Sequence, residues 1–294
     1  MIDYRNRKRI DILGVFVDRV GKKQALATIV DFLDSQGKYF VTTVYSEMIV
    51  AAHFNSRFKN VLNSSSMSLP DGIGILAAAD FLGFWAPINL YLRAVYLFFG
   101  GLLVGLKIIF SGFLFRELNE TVSGSDLIYD LAEIAQERGY RFYLLGGKNE
   151  VAESASAKLV SKFPKLSIGY SGGLANIRSY TKGDNQEIIN EINEFNPRIL
   201  LVAYGPPYQE TWICDNLEHL NVKVALGVGG SFDMVSGRKK RAPRAFRFLS
   251  LEWLWRLLIE PLRLKRIFSA VFIFPSLVYL YKLRRTNLGC IIKE

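Results

Sequence analysis

The segment LPDGIG sets Asp71 on a turn between two apolar runs, where a carboxylate can take the proton from an attacking hydroxyl; Pro-Asp-Gly is equally an ordinary turn. Three further loops carry glycine directly after a strand-like run: LLGGKNE with Gly146 and Gly147, VAYGPPYQE with Gly205, and GVGGSFD with Gly229 and Gly230. Glycine there lets backbone N–H groups converge on an anion, so the three loops together describe one crevice suited to phosphate. In the second loop Gln209 and Glu210 fall at the start of a helix, where the acid suits the helix dipole and the amide can reach a ligand. Other chemistries lack their residues. Only His53 and His219 are present, and there is no GxxxxGK[ST], no GxGxxG and no Asp-x-Asp pair to hold a divalent cation on a diphosphate. Cys214 and Cys290 stand far apart, which supports neither a disulfide framework nor a thiolate metal site and points to a reducing compartment. The expected site therefore uses no metal and no cofactor, and phosphate falls to amides and cations.

Positioning these loops takes an α/β fold. ILGVFVD (12–18) reads as a strand, KKQALATIVDFLD as an amphipathic helix, KYFVTTVYS as a second strand and EMIVAAHFNSRFKNVLNSS as one helix. SMSLPDGIG then reads as a loop leading into a small-residue helix. From Gly124 the rhythm is regular. Helix GSDLIYDLAEIAQER stops at Gly139, and strands RFYLLGG, LSIGYSGG, RILLVAYG and VKVALG alternate with helices. Such alternation predicts a Rossmann-like, mostly parallel sheet with helices on both faces and ligand loops at the carboxyl ends of its strands.

Two segments fall outside that pattern. Residues 84–115 are apolar apart from Arg93 and Lys107, and the charge-free part, 94–106, is short for a crossing. An amphipathic or re-entrant membrane element, with Arg93 and Lys107 free to snorkel, fits this block best; a buried hairpin and a true span also fit. Residues 238–294 hold 14 Lys and Arg against three Glu, so the +10 of the 294-residue chain is a local device. These charges are mixed with Phe246, Phe248, Trp253, Trp255 and an apolar run over 267–281, which suits an anionic lipid surface. Nucleic acid rewards basic residues without such a run, so no nucleic-acid partner is expected. Half of the chain is apolar, enough for a large core, and no apolar leader precedes Asp11, so the cytoplasm is the expected compartment. The expected organisation is an α/β core over 1–237 interrupted by 84–115, and a membrane-associating appendage over 238–294.

Taken in order, LPDGIG, VSGSDL, FYLLGG, AYGPPYQE, GVGGSFD and RAPRAF followed by LEWLWRLLIEPLRLKR resemble the WecG/TagA/CpsF family of bacterial glycosyltransferases, over residues 10–83 and 120–268. The resemblance implies an inverting transfer of an N-acetylmannosamine-type or related sugar from a UDP donor to a polyprenyl-diphosphate-linked saccharide. It also implies a protein held, peripherally or monotopically, on the cytoplasmic face of the bacterial membrane. It makes Asp71 the general base, Thr43 a substrate contact in the catalytic set, and Gln209 the group that positions donor or acceptor. Asp233 becomes a donor contact, and Arg241, Arg256, Arg263 and Arg266 serve the lipid diphosphate or the leaving UDP. Two positions depart from the family's pattern: its Thr-x-Asn is Thr43-Val44-Tyr45 here, which makes Tyr45 a substrate contact, and an arginine is replaced by Thr121. The block 84–115 is extra to the family's usual short connection. A different UDP-hexose in exopolysaccharide synthesis, a catalytically silent nucleotide-binding membrane adaptor, and a homo-oligomeric state all stay open at this stage.

Overall fold

The computed structural model describes residues 8–110, 115, 117–118, 120–147, 150–239, 243, 246, 255, 264–285 and 292–293. ILGVFVD, expected as one strand, is the second half of a hairpin. Strand β1 (Arg9–Ile12) turns through Leu13 and Gly14, at φ +56° and +86°, into antiparallel β2 (Val15–Asp18). Two successive left-handed residues give the turn whose twist matches a hairpin, and Gly takes that conformation without steric cost. Asp18 ties this hairpin to the chain at Ser68. Its carboxylate, fully buried, accepts from Arg9 Nε at 3.1 Å and from the Ser68 N–H at 2.7 Å.

After α1 (Lys22–Asp34), β3 (Tyr39–Val44) starts the main sheet. The expected single helix after it is two, α2 (Ser46–Phe54) and α3 (Ser56–Asn63), because Asn55 leaves the helical conformation and caps the second by accepting from the Phe58 N–H. The stretch read as a loop contains β4 (Met67–Pro70), followed by α4 (Ile73–Gly83) and α5 (Leu90–Phe110). Then come α6 (Gly124–Arg138), β5 (Phe142–Gly146), α7 (Val151–Lys162), β6 (Ile168–Ser171), α8 (Lys182–Phe195) and β7 (Ile199–Ala203). The chain continues with α9 (Tyr208–Asn216), β8 (Val224–Gly227) and α10 (Ser231–Val235). The six strands β3 to β8 are parallel in the order β4-β3-β8-β7-β5-β6. Alternate residues feed opposite faces: Leu144 and Leu201 pack with α1, α6 and α7, while Leu145 and Leu200 pack with α8 and α9. The expected parallel sheet with helices on both faces is the fold observed.

A second core lies beside this sheet. It joins the hairpin to α2, α4, α5 and a C-terminal helix, α11 (Leu264–Arg284), whose middle turn Ser269–Ile273 is π-helical. Phe274 and Val278 are buried in it, so the basic C-terminal segment is no detachable appendage at this helix. The strand β9 (Ile292–Lys293) then pairs antiparallel with β1. The apolar block 84–115 contains one continuous helix, α5, with two faces. Leu97 and Val104 are buried, while Leu92, Val95, Phe99 and Leu103 are exposed on the opposite stripe. Its two cations do not snorkel, contrary to expectation. Arg93 is buried and donates to the carbonyls of Pro87, Ile88 and Leu283, and Lys107 pairs with the buried carboxylate of Asp80. Buried polar groups in an apolar setting must be matched, and these carbonyls and Asp80 provide the match within the protein.

Candidate active site

A cavity of about 1630 Å³ opens where β3, β4, β7 and β8 end, at the carboxyl edge expected to carry ligand loops. Asp71 follows β4 directly and lines it. The Asp71 N–H donates to Val44 O at 2.8 Å, continuing the β3–β4 ladder by one residue and fixing where the side chain leaves the sheet. Gly72 then takes φ +85° and ψ 152°, a region open to glycine, and α4 starts at Ile73. The Pro-Asp-Gly sequence is thus a turn and a site at once. Thr43, near the end of β3, lines the same cavity and its hydroxyl lies 3.5 Å from Gly227 O.

Gln209 also lines the cavity, and its side chain bonds to the loops around it. Its Oε1 accepts from the Gly205 N–H at 3.0 Å and the Gly229 N–H at 2.9 Å, while its Nε2 donates to Glu210 Oε1 at 2.6 Å. One amide therefore staples the two glycine loops together, and only Gly fits at 227, where a Cβ atom would lie 2.8 Å from Gln209 Nε2. Glu210 is fully buried beneath the cavity and does not line it; its Oε2 has no hydrogen-bond partner among the described residues. Burial is the largest influence on this carboxyl and pushes it up from 4.5 to about 7, against the donation from Gln209. Because the folded form holds its proton to higher pH than the unfolded form, the stability this group allows is greatest below pH 4.5. It falls as pH rises to about 7, by about 3 kcal/mol. Glu210→Gln, neutral throughout, is expected to flatten the slope of stability between pH 4.5 and 7. Urea midpoints across that range check this, and an unchanged slope in the variant contradicts it.

Tyr45 lines the cavity as well, partly buried. Arg266 Nη2 donates to its phenol oxygen at 3.1 Å, and Arg266 Nε lies 3.7 Å from Glu47 Oε1. Burial first, then the charges of Glu47, Glu210 and Asp71, push the Tyr45 phenol above its ordinary range, with Arg266 opposing. It stays a phenol at neutral pH. Since Arg266 supplies a donor, the proton of Tyr45 is available to a substrate oxygen.

Of the other expected residues, Gly205, Gly229 and Gly230 line the cavity. Asp233 sits behind them, paired with Lys239 Nζ at 2.8 Å, and it is Lys239 that lines the space. Gly146 and Gly147 are not among the lining residues: both have positive φ at the end of β5, and Tyr204 packs against Gly146. Arg241, Arg256 and Arg263 lie outside the described residues. The structure adds Ser123, Ser125 and Asp126, which bring the N-terminal turn of α6 and its positive dipole end to the cavity. The hydroxyls of Ser123 and Ser125 pair with each other at 2.9 Å, and no side chain caps α6. Gly124 allows the approach, since a Cβ atom there would lie 3.3 Å from Ser231 Oγ. Small polar residues ahead of a helix were the available signal, and they read simply as capping. Thr121, the replaced arginine, also lines the cavity.

The arrangement offers a carboxylate base, a neutral phenol, paired glycine loops and two cations around one space. Such a set can deprotonate a hydroxyl and stabilise a departing phosphate. The model of the glycosyl transferase WecG/TagA/CpsF family matches residues 10–94 and 104–288. The stretch 95–103, within α5, is the part of 84–115 that this match leaves out. The chain is 27% identical over 284 residues to a Staphylococcus aureus strain MRSA252 protein named N-acetylglucosaminyldiphosphoundecaprenol N-acetyl-beta-D-mannosaminyltransferase, covering 96% of this chain and 94% of that one. Proteins of the same name from strains NCTC 8325 / PS 47 and MW2 are 27% and 26% identical over the same shares.

Proposed function

Because the chain belongs to the WecG/TagA/CpsF family of glycosyl transferases, we propose that it moves an N-acetylmannosamine-type or related hexose from a UDP donor to a polyprenyl-diphosphate-linked saccharide. The work is done at the cytoplasmic face of the cell membrane, in the synthesis of a cell-surface polysaccharide. The observation that carries the reading is the placement of Asp71, Thr43 and Tyr45 in one cavity with the stapled loops at Gly205 and Gly229. Asp71 takes the proton from the acceptor hydroxyl as that oxygen bonds to the anomeric carbon, from the face opposite UDP. The bond from that carbon to the phosphate oxygen breaks, and UDP leaves with its electron pair. Glycine-loop amides, the α6 N-terminus, Lys239 and Arg266 receive the growing negative charge. Turnover of a panel of UDP-sugars with a prenyl-diphosphate-linked N-acetylglucosamine acceptor tests this. Transfer from one of them is expected, and hydrolysis or inertness with all of them refutes it.

The exposed stripe of α5 and the outward residues Leu264, Phe268 and Phe272 of α11 form the docking face for the bilayer. Among the described residues two helices are long and apolar enough to cross, yet each packs residues into the second core, which supports lying in the interface. Each large side chain moved from water into lipid contributes about 2 kcal/mol, on top of about 1 kcal/mol for each basic group near anionic headgroups. The intact protein is expected to need detergent for extraction. Phe99→Gln with Leu103→Gln is expected to come off with high salt alone, and equal retention of the variant contradicts this face.

A further inference from the structure

We infer that the groove between α5 and α11 is the seat of the acceptor's polyprenyl chain. This rests on the acceptor class proposed above and names the part of the protein that reads its lipid. The cavity holding Asp71 does not end at the polar loops. Beyond Tyr45 and Arg266 it continues between the two helices, with Phe81 of α4, Leu97 and Ile108 of α5, and Ile267, Phe274 and Val278 of α11 on its walls. The space is polar at one end and apolar along the rest, the shape of a single molecule carrying a diphosphate head and a long hydrocarbon tail.

Three features show that the apolar part is kept open. Gly101 and Gly105 both line it from the middle of α5, where glycine weakens a helix relative to alanine. Close packing does not require Gly105: a Cβ atom there would meet nothing within 4 Å. The π-helical turn of α11 places Ala270 and Val271 on the same cavity, and such turns re-aim side chains where a regular helix would not. Finally, the helices are tied to each other away from the polar loops, by Arg93 Nη1 to Leu283 O at 2.9 Å and Tyr279 Oη to Ala94 O at 3.0 Å. The ties hold the walls without filling the space. Because the opposite stripe of α5 is the proposed bilayer face, a tail passes from lipid into the groove without crossing water. Leu97, Phe98, Gly101 and Leu102 of this wall lie in the stretch 95–103 that the family match leaves out.

The test uses the full-length protein in detergent with a diazirine-tipped polyprenyl phosphate. Photolabel is expected in peptides carrying 97–108 and 267–280, displaced by unlabelled undecaprenyl phosphate and not by equal phosphatidylglycerol. Gly105→Phe, which fills the open space, is expected to reduce that label. It should also lower the ratio of kcat/KM for a long-chain acceptor to that for a short-chain one by about tenfold or more, the scale of a few lost methylene contacts. Label elsewhere, displacement by phosphatidylglycerol, or an unchanged chain-length ratio in a variant that melts like the parent overturns the inference. Labelling the wild-type chain needs no turnover, so the two readings fail separately. Groove label without any sugar transfer refutes the transfer reaction, and transfer with label elsewhere refutes the groove alone.

Discussion

Asn at position 71 is expected to leave a folded protein whose sugar transfer has fallen by about 10²–10⁴, the usual range for loss of a general base. The substitution keeps the shape of the side chain and removes its negative charge and with it its ability to take a proton. Nothing in the backbone is disturbed, since the bond from the residue 71 N–H to Val44 O and the glycine conformation at Gly72 are unchanged by it. The loss should therefore appear in kcat, with KM for donor and acceptor little altered and the melting temperature intact. Steady-state rates for the purified variant check this. Turnover near that of the parent removes Asp71 from the chemistry and passes the role of base to another group lining the cavity, such as Asp126.

Removal of residues 238–294 is expected to be the most destabilising change. Charge pattern alone presents this segment as an appendage whose loss leaves a soluble core, whereas α11 packs into the second core. Phe274 and Val278 are buried among residues of the hairpin, α2 and α4, and taking two such side chains away costs about 4 kcal/mol. Polar partners go with them. Lys282, itself buried, donates to Leu82 O, Tyr281 Oη donates to Asp11 Oδ2 at 2.9 Å, and Arg93 loses its bond to Leu283. Against a total stability of about 5–15 kcal/mol for a native protein, such losses are large. At about 2–4 °C for each kcal/mol in a chain of this size, the truncated form should melt at least ~10 °C lower or fail to stay soluble. A soluble truncation with the parent's melting temperature contradicts the structure.

The regular half of the chain is legible because its central strands are buried on both sides and its first helix ends at glycine. Phe142–Gly146 and Ile199–Ala203 are continuous apolar runs, and Gly139 stops α6 with φ +68°. β4 is hidden because Met-Ser-Leu-Pro is four residues long and ends in proline, a pattern that reads as a loop. Proline is tolerated there as the last residue at the sheet edge. The hairpin is hidden because Leu at a positive φ gives no turn signal. In the site, residue type indicates Asp71 and the glycine loops. It cannot show that Gln209 spends its amide on Gly205, Gly229 and Glu210, or that Arg93 and Lys107 face inward. Those outcomes turn on partners far along the chain, such as Gly229 for Gln209, Leu283 for Arg93 and Asp80 for Lys107, and local pattern carries no such information.

The pairing of Ile292 and Lys293 with the first strand ties the order of folding to the order of synthesis. One edge of β1 waits for residues near the end of the sequence, and Asp11 within it waits for Tyr281. Until those residues leave the ribosome, the nascent protein carries an open strand edge beside the still uncovered face of α4, a template for unwanted pairing. The apolar surface around α4 and the free edge of β1 are therefore covered together, by the same last stretch of the chain.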